Sequence, residues 1–265
     1  MKFVNKLLEA SRANNSLLCV GLDPDPQKLP VKDVFQFNRA IVEATADLVC
    51  AYKPNLAFYE AMGVHGIELL KQTVEYIPKN IPVIGDAKRG DIGNTAAAYA
   101  RALFDYFKFD AATVSPYLGY DSVEPFLSYK NKGVFILCRT SNRSAVDFQD
   151  LTDNFGMKFY QSVALRAKEW NREDNIGLVV GATYPEELKE IRKICPAMPL
   201  LVPGIGAQGG DLEMSVRYGV DSNAEKAIIV AARQVLYASK GPDYADAARK
   251  AAAEIRDNIN RARGR

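Results

Sequence analysis

Residues 82–107 read PVIGDAKRGDIGNTAAAYARALFDYF. This segment begins with the short apolar run 82–86, which predicts a buried β-strand. It ends with the alanine-rich run 95–107, which predicts a helix because alanine is the strongest helix former. A charged turn joins the two runs. The segment therefore predicts a strand followed by a helix, the repeating unit of α/β proteins.

The same unit repeats along the whole chain. We expect eight strands, at residues 16–21, 48–53, 82–86, 111–115, 133–139, 177–181, 200–203 and 226–230. The expected helices lie at residues 33–46, 59–76, 95–107, 122–129, 155–171, 185–193, 211–218 and 244–260. Near-continuous apolar runs are typical of parallel strands covered on both faces. Eight such units in 265 residues predict an α/β fold, a (β/α)₈ TIM barrel that forms a single domain over residues 1–265.

A doubly wound open sheet is the structural alternative to the barrel. That fold usually carries a GxGxxG turn after an early strand, whereas the first strand here leads into Leu22, Asp23 and Pro24. The longest irregular stretch is residues 140–154, which is polar and predicts a loop over the barrel mouth. We expect its acids Asp147, Asp150 and Asp153 to face solvent.

Composition excludes several classes of function. The formal net charge is +2 and no basic stripe is present, so we expect no nucleic-acid partner. No run of about 18 apolar residues suggests a membrane span, and residues 1–14 lack the apolar core of a signal peptide. The four cysteines form no CxxC pair, which argues against a metal site or a disulfide framework. These features together predict a cytoplasmic protein.

Charged residues follow the expected strands, where the chemistry of a TIM barrel takes place. Asp86 and Lys88 are two residues apart on the third strand, so both side chains are expected to point the same way. Lys53 ends the second strand and Asp91 lies just beyond the third. Carboxylates beside an ammonium group favour its protonated state, which makes Lys88 a candidate proton donor. The alternative is an ion-pair cluster that only closes the barrel.

A glycine-rich loop follows the seventh strand. Four glycines lie within residues 204–210, where exposed backbone N–H groups can approach an anion, and a predicted helix begins directly afterwards. Arg233 follows the eighth strand and can bind a phosphate with two parallel hydrogen bonds. Loops after strands 7 and 8 are the usual phosphate site of this fold. The pattern predicts a phosphorylated small molecule as ligand, although a plain turn is the alternative.

Histidine chemistry is not expected. His65 is the only histidine and lies in the second helical region next to Gly63 and Gly66, where a structural role is the simpler interpretation. Composition and spacing thus predict a barrel, a phosphorylated ligand and a Lys/Asp proton-handling cluster, but they do not identify the reaction.

Four motifs resemble those of the orotidine 5′-monophosphate (OMP) decarboxylase family. Residues 83–95, VIGDAKRGDIGNT, resemble its signature, and residues 203–211, PGIGAQGGD, resemble its phosphate loop. Residues 21–26 and 52–55 resemble its first two strand ends. The matches run in order along the chain and indicate the longer bacterial-type branch. The resemblance implies conversion of OMP to UMP and CO₂ in pyrimidine biosynthesis, without metal or organic cofactor.

The resemblance also implies roles for individual residues of the cluster. Lys88 would protonate C6 of the pyrimidine as CO₂ leaves. Asp86 and Asp91 would flank the substrate carboxylate, with Asp86 the closer. Lys53 would hold this network and contact the ribose, and Asp23 would bind a ribose hydroxyl.

Further residues are implied in binding. Ser141 would hydrogen-bond the pyrimidine ring. Pro203 begins the phosphate loop and is assigned with it to substrate binding, and the phosphate would be bound by Gln208, Gly209, Gly210 and Arg233. Asp91, Ile92 and Thr95 would reach into the site of a second copy, which implies a homodimer with shared active sites.

Two other functions fit parts of the pattern. Sugar-phosphate decarboxylases and aldolase-like synthases share the Asp-x-Lys-x-x-Asp pattern and resemble Mg²⁺ enzymes, but Lys53 is poorly placed beside a divalent metal. A phosphate-binding barrel without catalysis is the second alternative. The presence of both Lys88 and Asp91 argues against it.

Overall fold

The computed structural model describes residues 1–205 and 211–264. Eight parallel strands form one sheet in these residues. The strands are β1 (Leu18–Leu22), β2 (Ala51–Pro54), β3 (Ile84–Arg89), β4 (Ala111–Val114), β5 (Gly133–Arg139), β6 (Ile176–Val180), β7 (Leu200–Val202) and β8 (Ala227–Ala231).

Apart from the first, which precedes β1, the helices follow the strands on the outside of the sheet. The α-helices are α1 (Phe3–Ala13), α2 (Val34–Thr45), α3 (Leu56–Glu60), α4 (Gly63–Tyr76), α5 (Gly93–Arg101), α6 (Tyr120–Leu127), α7 (Val146–Gln149), α8 (Phe159–Trp170), α9 (Pro185–Ile194), α10 (Leu212–Gly219), α11 (Arg233–Leu236) and α12 (Tyr244–Ala262). A π-helical turn, Ala102–Tyr106, continues α5, and a 3₁₀ turn, Arg143–Ala145, precedes α7.

The sheet closes on itself. Consecutive strands pair from β3 through β8, and β8 pairs with β1, which pairs with β2. Isolated bridges between Tyr52 and Val83 and between Asn55 and Asp86 join β2 to β3. The predicted (β/α)₈ barrel is therefore confirmed, and the open doubly wound sheet is excluded.

The amino-terminal end of the barrel is filled by apolar side chains. Phe3 and Leu7 of α1 are 3% and 2% exposed and pack into the cluster inside the barrel. The ring of Phe3 meets that of Phe135 edge-on, with centroids 5.6 Å apart. A Cβ on Gly133 would lie 2.5 Å from the Phe3 ring, so only glycine leaves room for it. We call this layer the barrel floor.

A second, larger core lies between the strands and the outer helices. Several of these helices begin at side chains that cap them, as for Asp33, which accepts a hydrogen bond from the N–H of Gln36 at the start of α2. Asp211 caps α10 in the same way through the N–H of Met214.

In the part of the chain that the structure describes, no helix combines the length and apolar character that a membrane span requires.

Two expectations about the segment 140–154 were wrong in detail. Residues 140–154 are not a plain loop, because they contain the 3₁₀ turn and α7. Asp150 does not simply face solvent, since its carboxylate pairs with Arg139 at 3.4 Å and Lys158 at 3.3 Å. The short helix α11 was not expected from the sequence.

Candidate active site

A cavity of about 480 Å³ opens at the carboxyl ends of the strands. Its size lies in the range of small-molecule sites. Seven residues that the sequence analysis selected line it: Asp23, Lys53, Asp86, Lys88, Ser141, Pro203 and Arg233. The structure thus brings together side chains from six strand ends.

Asp86 lies between two lysines at the centre of this cavity. One carboxylate oxygen, Oδ2, accepts a hydrogen bond from Lys53 Nζ at 2.7 Å, and the other, Oδ1, accepts one from Lys88 Nζ at 2.5 Å. Lys53 is 4% exposed, whereas about half of the Lys88 side chain is exposed. Lys53 therefore holds Asp86 from inside the barrel, and Lys88 faces the open cavity.

The backbone at Lys88 is not an ordinary extended strand. Lys88 has a φ of +48°, in the left-handed region, and the pairing of β3 with β4 shifts register between Gly85 and Arg89. Thr113 of β4 supports this conformation, because its hydroxyl oxygen accepts the N–H groups of Ala87 and Lys88 at 3.0 and 2.9 Å. The same hydroxyl donates to Asp86 Oδ1 at 3.0 Å. Asp86 and Lys88 do meet, as expected, but through this irregular turn.

The charges at Asp86 and Lys53 stabilise each other. Burial by itself raises the pKa of Asp86, but the ammonium groups of Lys53 and Lys88 outweigh burial and hold the pKa well below its ordinary value. Burial likewise lowers the pKa of Lys53, and the carboxylates of Asp86 and Asp23 more than reverse this, so that the pKa lies above its ordinary value. Both groups are therefore charged at neutral pH.

Asp23 follows β1 and has a different environment. Its Oδ1 is buried and has no hydrogen-bond partner among the residues that the structure describes, and the nearby backbone N–H of Asn55 acts to lower the pKa of the carboxyl group. Burial raises the pKa of Asp23 above its ordinary value, and the nearby charge of Lys53 only partly opposes this. A buried acceptor of this kind is costly without a partner, and a ligand hydroxyl can supply one.

One helical turn after β8, the strand next to β1, carries two further residues of the cavity wall. Arg233 begins α11, and Tyr237 follows one turn later, with its N–H donating to the Arg233 carbonyl at 3.1 Å. The Tyr237 hydroxyl donates to the carbonyl of Asp23 at 2.9 Å and accepts the N–H of Asp25 at 2.9 Å. Tyr237 thereby fixes the segment that carries Asp23.

Other selected residues lie away from this cavity or cannot be placed. Asp91, Ile92 and Thr95 do not line it, and the Asp91 carboxylate accepts the N–H of Ile92 at 2.8 Å. No ion pair joins Asp91 to Lys88, although both are among the described residues. Residues 206–210 of the glycine-rich loop lie outside the described residues, and they include three selected residues: Gln208, Gly209 and Gly210. His65 is exposed on α4 and does not line the cavity.

Sequence reasoning missed three residues of this site. Thr113 gave one signal, since it is a lone hydroxyl within the apolar run of β4. Asn55 was quoted only as part of a motif, although it lines the cavity and its backbone N–H acts to lower the pKa of Asp23. Tyr237 gave no signal, because it lies 214 residues from the Asp23 carbonyl that it contacts.

This arrangement can perform proton transfer at a centre of high charge. Lys88 offers an ammonium group to the cavity, and the fixed charges around it need no reorganisation during a reaction. Thr113 and Lys53 hold Asp86, so its carboxylate cannot turn away from a ligand.

Known proteins match the chain over its full length. Residues 16–251 match the model of the family described as orotidine 5′-phosphate decarboxylase / HUMPS. The orotidine 5′-phosphate decarboxylase of Dehalococcoides mccartyi is 56% identical over 100% of both chains. That of Thermomicrobium roseum is 51% identical, over 99% of this chain and 96% of its own. The solved OMP decarboxylase of Leishmania donovani has a TM-score of 0.90 and 40% identity, and the alignment covers 100% of both chains.

Proposed function

The chain belongs to the orotidine 5′-phosphate decarboxylase / HUMPS family, and from this premise we propose how its residues carry out the reaction. The enzyme is a carboxy-lyase that converts OMP to UMP and CO₂ in pyrimidine biosynthesis. The observation that carries the proposed mechanism is the placement of Asp86 between Lys53 and Lys88 in the cavity at the barrel mouth.

Lys88 is the proton donor. The bond between C6 and the carboxylate breaks, its electron pair stays on C6, and CO₂ departs. A proton then passes from the Lys88 ammonium to C6, and the resulting amine regains a proton from water. The pyrimidine has no group that delocalises the electron pair well, so the nearby positive charge stabilises it as it develops. The half-exposed position of Lys88 in the cavity supports this role.

Asp86 favours loss of the carboxylate. Its depressed pKa keeps it ionised beside the negative substrate group, and their repulsion disappears when neutral CO₂ leaves. Asp91 supplies a second carboxylate from a neighbouring chain. Lys53 neutralises Asp86 from the buried side, which keeps the cluster stable when the cavity is empty. When OMP is bound, Lys53 also contacts the ribose.

The rest of the cavity binds the nucleotide. Asp23 accepts a ribose hydroxyl at its unpartnered oxygen, and Ser141 bonds the pyrimidine ring. The phosphate lies at the far end, where Pro203 and Arg233 line the cavity, and Gln208, Gly209 and Gly210 complete its site. Phosphate binding far from C6 can close loops and exclude water, which raises the rate.

Two copies of the chain form the working enzyme. Asp91, Ile92 and Thr95 lie beside the mouth without lining their own cavity, and Ile92 and Thr95 are exposed, which supports a role in the partner's site. Each chain acts as one domain, since all eight strands contribute to one sheet. The four cysteines are free thiols, which fits the reducing conditions of the cytoplasm.

No metal ion takes part in the proposed mechanism. Both oxygens of Asp86 are already bonded to lysine ammonium groups, which compete directly with a divalent cation. The test is to treat the purified chain with EDTA and to follow the loss of OMP absorbance in the ultraviolet. Undiminished conversion to UMP is expected. Failure to convert OMP, together with Mg²⁺-dependent activity on a ketose phosphate, would overturn the proposal.

A further inference from the structure

A partly buried hydrogen-bond network behind the cavity wall, with Arg139 as its buried member, fixes the segment that carries Ser141. Thr140, Ser141 and Asn142 line the cavity after β5. We propose that Gln149 is a positioning residue. It holds Ser141 where the Ser141 side chain can hydrogen-bond the pyrimidine ring. This inference rests on the proposed function, in which Ser141 contacts that ring.

Gln149 binds Thr140 twice. Its Oε1 accepts the backbone N–H of Thr140 at 2.9 Å, and its Nε2 donates to Thr140 Oγ1 at 2.8 Å. Gln149 itself does not line the cavity of about 480 Å³. It borders a separate, apolar cavity of about 360 Å³ on the other side of Thr140. Gln149 therefore acts on the site through Thr140 and not by touching substrate.

Arg139 holds Gln149 in turn. Its side chain is 1% exposed, and its Nη1 lies 3.4 Å from Gln149 Oε1. The guanidinium pairs with Glu187 of α9 and with Asp150, and it stacks 4.4 Å from the ring centre of Tyr184. A buried guanidinium with this many partners has one orientation. The amide of Gln149 is therefore held by α9 as well as by its own helix.

Ser141 is also confined from the opposite side. A Cβ on Gly181, directly after β6, would lie 2.8 Å from the Ser141 Cβ and 2.9 Å from its backbone nitrogen. The Thr140 hydroxyl donates to Asn142 Oδ1 at 2.6 Å and so spans Ser141. The Ser141 backbone thus lies between the end of β6 and the segment that Gln149 holds. Loss of the Gln149 amide frees one of these two sides.

The experiment compares a ligand that contains the ring with one that lacks it. Gln149→Met removes both hydrogen bonds to Thr140 but keeps a side chain of nearly the same length. We expect the inhibition constant of UMP and the KM of OMP to rise about tenfold. The inhibition constant of ribose 5-phosphate, which lacks the ring, should stay within about twofold of the wild-type value. Gln149→Glu keeps an acceptor for the Thr140 N–H and for Arg139, and most of the affinity for UMP is retained. Asp147→Asn, an exposed change on the same helix, leaves both constants unaltered.

Several outcomes overturn the inference. Equal weakening of UMP and ribose 5-phosphate would show a general loss of structure. An effect of Gln149→Met that persists at full size in a Ser141→Ala background would show that Gln149 does not act through Ser141. If Gln149→Met does not fold, Gln149→Asn replaces it, because this side chain carries the same amide but is one methylene shorter. It must weaken the binding of UMP without weakening that of ribose 5-phosphate. Wild-type protein that does not convert OMP would instead refute the proposed function, independently of these comparisons.

Discussion

At the carboxyl ends of the strands the barrel holds Lys53, Asp86 and Lys88 in contact, whereas at the amino ends Phe3 and Leu7 of α1 fill it with apolar side chains. The mouth contains features that cost stability. Asp23 has a buried oxygen with no partner among the described residues, and Lys88 has a left-handed backbone. The barrel floor consists of buried apolar side chains, whose burial stabilises the fold. One sheet therefore separates the residues that we propose to act in the reaction from those that contribute most to stability.

Replacing Lys88 by alanine should have the largest effect on the reaction. We expect kcat to fall by about 10⁴-fold or more, because both the proton donor and its charge are lost. The free energy of unfolding should change little, since the side chain is half exposed. Steady-state kinetics and urea unfolding measure the two quantities. A variant that retains more than a tenth of the wild-type kcat would contradict the role of Lys88.

The matched change at the barrel floor is Phe3→Ala. It should lower the free energy of unfolding by about 3–5 kcal/mol, because it leaves a cavity among buried rings. Below the unfolding transition, kcat should remain within about twofold of the wild type. Urea unfolding and kinetics at low temperature test this. A large loss of kcat in fully folded protein would contradict the claim that the barrel floor contributes to stability but not to the reaction.

Asp23→Asn should weaken OMP binding but raise the free energy of unfolding. An acid whose pKa is raised on folding binds its proton more tightly in the folded state, so stability falls as pH rises from the unfolded value of about 3.9 through the raised value. The variant should therefore be more stable than the wild type at pH 7, and this gain should shrink at acid pH. Urea unfolding of the variant and the wild type at several pH values measures how the difference in their free energies of unfolding changes with pH. A gain that grows on acidification would contradict the assignment.

Tyr237→Phe should have the smallest effect. It removes the two hydrogen bonds that fix Asp23 and Asp25 but keeps the ring. We expect KM for OMP to rise about fivefold with kcat nearly unchanged, since one positioning contact is worth about 1 kcal/mol. Kinetics in the Asp23→Asn background provides the control, where the change should have little further effect.

The strand and helix pattern was predictable because it is local. Eight apolar runs appear in the sequence, and only their limits shifted, as in β2, where the expected strand 48–53 is observed as Ala51–Pro54. The meeting of Lys53, Asp86 and Lys88 was also predictable, because parallel strands bring their carboxyl ends to one edge. Their catalytic roles remain predictions.

Contacts between loops were not predictable. Tyr237 reaches Asp23 across 214 residues, and neither residue type nor spacing indicates that contact. Gln149 lies in a polar segment that was expected to be a plain loop, yet it holds Thr140. The left-handed backbone at Lys88 depends on Thr113 of the neighbouring strand. Such features arise from packing between distant segments and carry no periodic signal.

Chemical rescue of a Lys88→Cys variant tests the central claim most directly. All four native cysteines are buried, so 2-bromoethylamine should alkylate only the new thiol and restore an ammonium group at nearly the original distance. We predict that the untreated variant is inactive and that aminoethylation restores OMP turnover, whereas iodoacetamide, which adds no charge, does not. Mass spectrometry confirms the modification. Complete aminoethylation without recovery of activity, or equal recovery with iodoacetamide, would contradict the assignment of Lys88 as the cation that protonates C6.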